Sequence, residues 1–149
     1  QHIARKIRSI GFNYFVPEDG GDLDPAEAVR RHFGVFSARY GNLYTVEQLD
    51  QLFDEAFGGM QRHETVWQRP DGRFVDPYRP QIEPDGFRSE AEVRQARAAH
   101  LEDVRRVFLQ SQLFIFTLGM TEAWRSKVDG MVFPLAPGVA GGSFDPRKH

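Results

Sequence analysis

Apolar residues recur three or four positions apart in several segments of the chain, which is the spacing of amphipathic helices. The first such segment covers residues 3–10 and ends at Gly11. The second begins at Asp24 and Pro25, a cap residue followed by a proline in the first turn, and extends to about Gly34. We therefore expect two short helices in the first quarter of the chain.

Two further helices are predicted by capping boxes. Thr45 is followed three residues later by Gln48, and Ser89 by Glu92, each time ahead of an apolar stripe. The stripe residues are Val46, Leu49, Leu52, Phe53, Ala56 and Phe57 in the third helix and Val93, Ala96, His100, Leu101, Val104, Val107 and Phe108 in the fourth.

The remaining apolar segments predict strands. Residues 12–16 are aromatic and β-branched enough for a short strand, and residues 64–68 and 73–76 flank a Pro-Asp-Gly turn signal, which predicts a hairpin. The continuous apolar run 113–118 is typical of a strand covered on both faces. A helix that leads into such a strand indicates an α/β fold, with ligands at the strand's carboxyl end. A last short strand is expected within residues 131–142.

The amino-acid composition limits the classes of protein to which this chain can belong. The 149 residues are 40% hydrophobic and 27% charged, with a formal net charge of -2, and the charges are interspersed. This argues for a folded domain and against a nucleic-acid or membrane surface. Cysteine is absent, which excludes disulfides and thiolate chemistry within these residues and suits a reducing compartment, so we expect a cytoplasmic protein.

The first candidate site is the aromatic-rich loop before the Thr45 cap. The Gly41 N–H, with the Asn42 side chain beside it, could donate to a developing oxyanion. The alternative is a simple turn, since both residue types tolerate positive φ. Arg39, two residues upstream, could bind a carboxylate or phosphate, and its alternative is a structural salt bridge.

The second candidate lies at the carboxyl end of the predicted buried strand. Gly119 allows a sharp turn, and Thr121 and Glu122 then place polar atoms where α/β folds usually have their pocket. An N-cap with an acidic first turn predicts the same residue types, so both interpretations stay open.

Histidine and serine give weaker signals. None of the 5 histidines has metal-ligand spacing, and no serine lies in a G-x-S-x-G context, so we predict no metal and no cofactor. His100, on the apolar side of its helix, is expected to be packed and hydrogen-bonded. Asp145 and His149 stand four apart in an irregular tail, where a catalytic dyad is not favoured.

Three stretches together resemble one known family. They are FSARYGNLYT at 36–45, FTLGMTEAW at 116–124, and FPLAPG at 133–138 with GGSFDP at 141–146. They resemble the GSCFA family, named for a five-residue motif near its amino end. The hairpin segment 72–80 and residues 82–84 fit as well, so the resemblance covers nearly the whole chain.

The resemblance implies a relative of the SGNH (GDSL-type) hydrolases, which have a three-layer α/β/α fold with a parallel sheet; the hairpin would be a small insertion. By this resemblance the nucleophilic Ser would precede Gln1 and the His base would follow His149, so residues 1–149 would be an incomplete domain without its own catalytic residues. Gly41 with Asn42 would form the second block of the superfamily. Gly119, Thr121 and Glu122 would form the third, although Thr121 stands where the superfamily has Asn.

The implied activity of the intact parent is that of a serine-dependent esterase or acyltransferase acting on small acyl esters, with acylated sugars as one candidate class. Its partner would be a small acyl or carbohydrate substrate. The alternative is a non-catalytic ligand-binding or interaction module on the same fold, since a fold does not fix an activity.

Overall fold

The computed structural model describes residues 2–120 and 122–149. Four helices carry most of the regular structure: α1 (His2–Ser9), α2 (Pro25–Arg30), α3 (Val46–Ala56) and α4 (Glu90–Gln110). Two small antiparallel sheets complete it. β1 (Trp67–Gln68) pairs with β2 (Phe74–Val75), and β3 (Trp124–Arg125) pairs with β4 (Val132–Phe133). The described part is thus a mixed α and β structure.

The helix starts lie where the sequence predicts them. Asp24 accepts hydrogen bonds from the backbone of the first turn of α2, and Thr45 and Gln48 form the complete capping box of α3. At α4, Ser89 accepts from Glu92 N, but the Glu92 carboxylate accepts from Arg88 N instead of completing the box. α2 ends at Arg30 rather than near residue 34, because residues 31–34 leave the helix as turns.

The predicted hairpin is confirmed, with Trp67 opposite Val75 across the turn. The parallel sheet is not: in residues 2–120 and 122–149 both sheets are two-stranded and antiparallel. Neither 12–16 nor 113–118 forms a strand, so the prediction of a strand covered on both faces is wrong here. A strand requires a neighbour to pair with, and no described segment pairs with either of these two.

Residues 113–116 nevertheless alternate in burial as in a strand, whereas Leu118 is exposed. Phe114 and Phe116 are partly buried, and the Phe114 ring lies 5.1 Å from that of Phe108 on α4. Leu113 and Ile115 point the other way and are 76% and 57% exposed. The segment therefore has one packed and one exposed apolar side.

Two apolar clusters form the core. One lies where α3 packs on α4, and the other lies between the hairpin and β4. Gln51 connects them, since its amide donates to Val132 O at 2.7 Å and accepts from Val132 N at 2.9 Å, as a neighbouring strand would. The cluster residues are Ala38, Leu52, Ala56 and Val104 in the first and Trp67, Val75, Tyr78, Met131 and Phe133 in the second.

No helix in the described part of the chain is both long enough and apolar enough to cross a membrane. α4, with 21 residues, is the longest of the helices, but it carries too many charges to cross a membrane, and the others are too short.

Candidate functional site

The loop that carries Gly41 is held in place by close contact with Arg79. Gly41 has φ +70° and lies against Arg79, so that an added Cβ would be 3.3 Å from the Arg79 Cα and Cβ atoms. Glycine is thus required both by the backbone conformation and by the close approach. Gly41 is exposed, and its N–H has no hydrogen-bond acceptor among the described residues. The loop therefore presents a free backbone donor at its outer side.

The two stretches predicted to form the site do meet. Gly119 N donates to Tyr44 O at 3.0 Å, and a Cβ on Gly119 would come within 2.9 Å of the Tyr44 ring. The segment after 113–118 thus lies against the Gly41 loop. Because the Gly119 N–H is already engaged, Gly119 contributes contact and position, and Gly41 keeps the free donor.

Glu122 of the third block is not buried by the surrounding structure. Glu122 is exposed, as is Met120 beside Gly119. Thr121, the candidate second oxyanion donor, lies outside the described residues.

Asn42 stands between the loop and a groove. Its Nδ2 donates to Gln81 Oε1 at 3.1 Å, and Gln81 lines an open cavity of about 400 Å³. Arg69 and the proline-rich segment 80–84 form one side of the groove, and residues 138–141 of the Gly-rich tail form the other. The cavity is in the size range of small-molecule sites. Asn42 is thus connected to this groove through Gln81, although it does not itself line the groove.

Arg39 faces inward. Its side chain is 6% exposed, its Nη2 donates to Ile82 O at 2.7 Å and pairs with Glu83 at 2.6 Å, and its guanidinium lies 3.8 Å from the Phe33 ring centroid. Nε is also engaged, by Arg31 O. These contacts fit the structural salt bridge, because they leave little of the guanidinium for a ligand.

A buried group of ion pairs contacts the backbone of the Gly41 loop. Asp76, which is 2% exposed, accepts from Tyr78 N and from Arg79 Nε, both at 2.9 Å, and Arg97 Nη1 lies 3.4 Å away. Burial raises the pKa of this carboxyl, but the charges of Arg97 and Arg79 outweigh burial and hold it well below its usual range. Arg79 in turn donates to Arg39 O at 3.2 Å. The ion pairs therefore connect directly to the loop backbone.

His100 belongs to the same buried region. It is 1% exposed, and its Nδ1 lies 2.7 Å from Glu18 Oε2, which also accepts from Arg39 N at 2.6 Å. Burial, and next the charges of Arg79 and Arg97, keep the pKa of His100 well below its ordinary value. The neutral ring donates through Nδ1 to Glu18, as expected for a packed and hydrogen-bonded histidine.

Little in the amino-acid sequence indicates this group of buried ion pairs. Asp76, Arg79 and Arg97 look like ordinary surface charges when read one at a time. A weak indication is the proline-rich segment 76–80, in which Asp76 and Arg79 lie on either side of Pro77 and Tyr78. Only the packing of α4 against this segment brings the three charges together.

Neither a catalytic pair nor a metal cluster is formed by the part of the chain that is described. No serine in it hydrogen-bonds a histidine, and no three His, Asp or Glu side chains lie together as metal ligands. His149 binds Glu64 through Nε2 at 3.0 Å, and its Nδ1 accepts from the backbone N–H of Asp145 rather than facing that carboxylate.

Comparison with known proteins assigns the family. Neither the curated proteins nor the solved structures gave a match. The model of the GSCFA family matches residues 1–148, which is essentially the whole chain. The chain belongs to the GSCFA family.

Proposed function

We propose that this chain carries the oxyanion-binding and substrate-facing loops of a serine-dependent esterase or acyltransferase of the SGNH type, which acts on small acyl esters such as acylated sugars. The observation that carries the proposal is the exposed Gly41 N–H, which has no acceptor among the described residues and stands next to the Asn42 amide.

An oxyanion site requires donors that are fixed before the reaction begins. Gly41 meets this requirement, because Arg79 lies directly beneath it and the neighbouring Tyr44 carbonyl is held by Gly119 N–H. The Asn42 amide adds a second donor, which in this structure is occupied by Gln81 and can be released to a stronger, charged acceptor.

The groove beside Asn42 supports a small substrate. At about 400 Å³ it has room for an acylated monosaccharide, and its wall combines prolines with the polar side chains of Arg69 and Gln81. An acyl ester bound there would have its carbonyl close to the Asn42 side of the loop.

The SGNH fold is part of the proposal. Residues 112–118 make no backbone–backbone hydrogen bonds within the described residues, yet residues 113–116 alternate in burial as in a strand. We assign this segment to a parallel sheet whose neighbouring strands come from polypeptide outside residues 1–149. The same polypeptide would supply the Ser nucleophile, which attacks the ester carbonyl, and the His that takes its proton.

The test uses the longest natural polypeptide that contains these residues, assayed on aryl acetates and on acetylated sugars. Asn42→Ala removes the amide donor, and Asn13→Ala removes an exposed asparagine amide that lies outside both the loop and the groove. We expect Asn42→Ala to lower kcat by about 100-fold or more with little change in KM, since the donor acts in the transition state.

Asn13→Ala serves as the matched control and should keep kcat within about threefold, because it changes neither the oxyanion donor nor the groove. Equal kcat values for wild type and Asn42→Ala, with both proteins folded by circular dichroism, would remove Asn42 from the oxyanion site.

A second function, non-catalytic ligand binding, is supported by the open groove itself, which can hold a small ligand without any catalytic serine or histidine. Titration with acetylated and free sugars separates the two proposals. Binding of the acetylated sugar without any release of acetate by the natural polypeptide would support the binding module and contradict the esterase.

A further inference from the structure

A second, smaller and partly open cavity lies between α3, Tyr78 and β4. Its volume is about 20 Å³, and its wall includes Asn42, Gln51, Arg62, Tyr78 and Arg97. A space of this size holds a single water molecule or a monatomic ion. We propose that it binds one small inorganic anion of the halide class.

The cavity wall contains buried donors without acceptors. The Arg62 side chain is 3% exposed, and its Nε and Nη1 atoms have no hydrogen-bond partner among the described residues. The hydroxyl of Tyr78 is likewise buried and unpaired. Buried polar groups are almost always hydrogen-bonded in folded proteins, so these three atoms together indicate a missing acceptor.

Local charge favours an anion over a water molecule. The carboxylate that Arg62 pairs with is Glu55, and Arg97 pairs with the same carboxylate. Burial first, and then the charge of Arg97, lower the pKa of Arg62 to about 10. The ion-pair group as a whole is balanced by Glu55, Asp76 and Glu18, but the charged residues in the cavity wall itself are the two arginines Arg62 and Arg97. A halide can accept from the same donors as a water molecule and also carries the charge opposite to both arginines of the wall.

The geometry of Arg62 suits a fixed site. Its guanidinium carbon lies 3.5 Å from the centroid of the Tyr78 ring, and Nη2 is held by Glu55. Stacking and ion pairing together hold the guanidinium plane in place, so that Nε and Nη1 are oriented without a ligand. Binding of an anion then requires little ordering of the side chain.

The experiment is thermal unfolding of the 149-residue chain in sodium bromide against sodium gluconate at the same ionic strength. If the dissociation constant is on the order of 10 mM, about 0.2 M bromide should raise the folding equilibrium constant about 20-fold and the unfolding temperature by about 5 °C. Tyr78→Phe keeps the stacked ring and removes the hydroxyl, so it should need several times more bromide for the same rise.

Arg62→Gln should abolish the bromide-dependent rise, and Arg147→Gln, at an exposed arginine on the tail, should retain it. A rise of equal size in all four proteins would show a general salt effect and overturn the proposal. Should Arg62→Gln fail to fold, the anomalous signal of bromide in crystals of the wild-type chain decides. A peak within hydrogen-bond distance of Arg62 or the Tyr78 hydroxyl supports the site, and a water molecule there, with no anomalous signal, overturns it.

Discussion

Asp76→Asn is the change that most directly tests the buried ion pairs beneath the Gly41 loop. The carboxylate is 2% exposed and accepts hydrogen bonds from Tyr78 N and Arg79 Nε, with Arg97 Nη1 at 3.4 Å. Asparagine has nearly the same shape, so the change removes a charge without leaving a cavity. Its NH2 group would also face guanidinium donors if it took the place of the second oxygen.

The expected loss of unfolding free energy depends on the ion pairs that Arg79 and Arg97 retain in the variant. Removing one partner of a buried ion pair costs about 3–5 kcal/mol, because the other charge remains buried and unpaired. Arg97 still has Glu55, and Arg79 still has Glu18 with Nη1 and Oε1 at 3.7 Å. We therefore expect the lower end of that range, about 3 kcal/mol of unfolding free energy at pH 7.

The pH dependence gives a second, independent signature. The pKa of Asp76 is held below its usual range by Arg97 and Arg79, against the effect of burial. A depressed pKa contributes stability that is present above the unfolded value, about 3.9, and is lost as pH falls toward the folded value. The difference between wild type and Asp76→Asn should therefore be constant from about pH 8 to 5 and shrink below about pH 4.

The assay is urea unfolding followed by circular dichroism at several pH values. Asp85→Asn is the matched control, since Asp85 pairs with Arg30 on the surface, where its side chain is 73% exposed. The control should unfold at nearly the same urea concentration as wild type, because surface ion pairs contribute little. If Asp76→Asn is no more destabilised than Asp85→Asn, the ion group does not stabilise the fold and the reasoning fails.

Three further predictions concern single positions. His100→Gln should remove a fall of about 2 kcal/mol in unfolding free energy between pH 6.5 and 5, because the low folded pKa lets only the unfolded state bind a proton there; a wild type with a flat profile contradicts this. Gly142→Ala should destabilise by about 2 kcal/mol more than Gly130→Ala in thermal unfolding, since both have positive φ but only Gly142 would place a Cβ 2.8 Å from an indole ring; equal losses contradict it. Ile115→Lys should change the unfolding free energy of the 149-residue chain by less than about 0.5 kcal/mol, as the side chain is 57% exposed, and should cost several times more in a natural polypeptide that covers it; equal effects in both contradict the parallel-sheet proposal.

The helix starts could be predicted from sequence because capping is local. Asp24, Thr45 and Ser89 each act on backbone N–H groups within three residues, so a short window contains the whole interaction. The hairpin turn at residues 70–72 is local in the same sense. In both cases the sequence neighbours are also the physical partners.

The prediction of a strand at residues 113–118 failed because strand pairing, unlike capping, is not local. An apolar run reports that a segment tends to be covered, but pairing depends on a neighbour that is distant in sequence. The described residues offer α4 on one side, through Phe114 and Phe108, and no pairing strand. The apolar run carried no information about which segment would lie beside it, and a strand exists only with such a partner.

The candidate site shows the same division between local and non-local information. Glycine at position 41 was recognisable as a turn residue, but the reason for its precise place is Arg79 beneath it, which reaches the loop through Arg39 O. Arg79 is itself fixed by Asp76, and Asp76 also binds Arg97 on α4. The position of a free backbone donor thus depends on a chain of buried charges that no local pattern reveals.

This dependence links stability to the proposed chemistry. A functional group is held accurately only when the residues behind it are themselves fixed, and burial with full ion pairing fixes Arg79 better than a surface contact could. If the Gly41 N–H binds an oxyanion, loss of the Asp76 charge should lower kcat as well as the unfolding free energy. The effect on kcat would be indirect, because Asp76 is connected to the loop through Arg79. If the loop only completes the fold, the same change should lower stability and leave ligand binding in the groove intact, because Arg69 of the groove is held by Pro84 O and the tail by the bond from Gly142 N to Gln68 O.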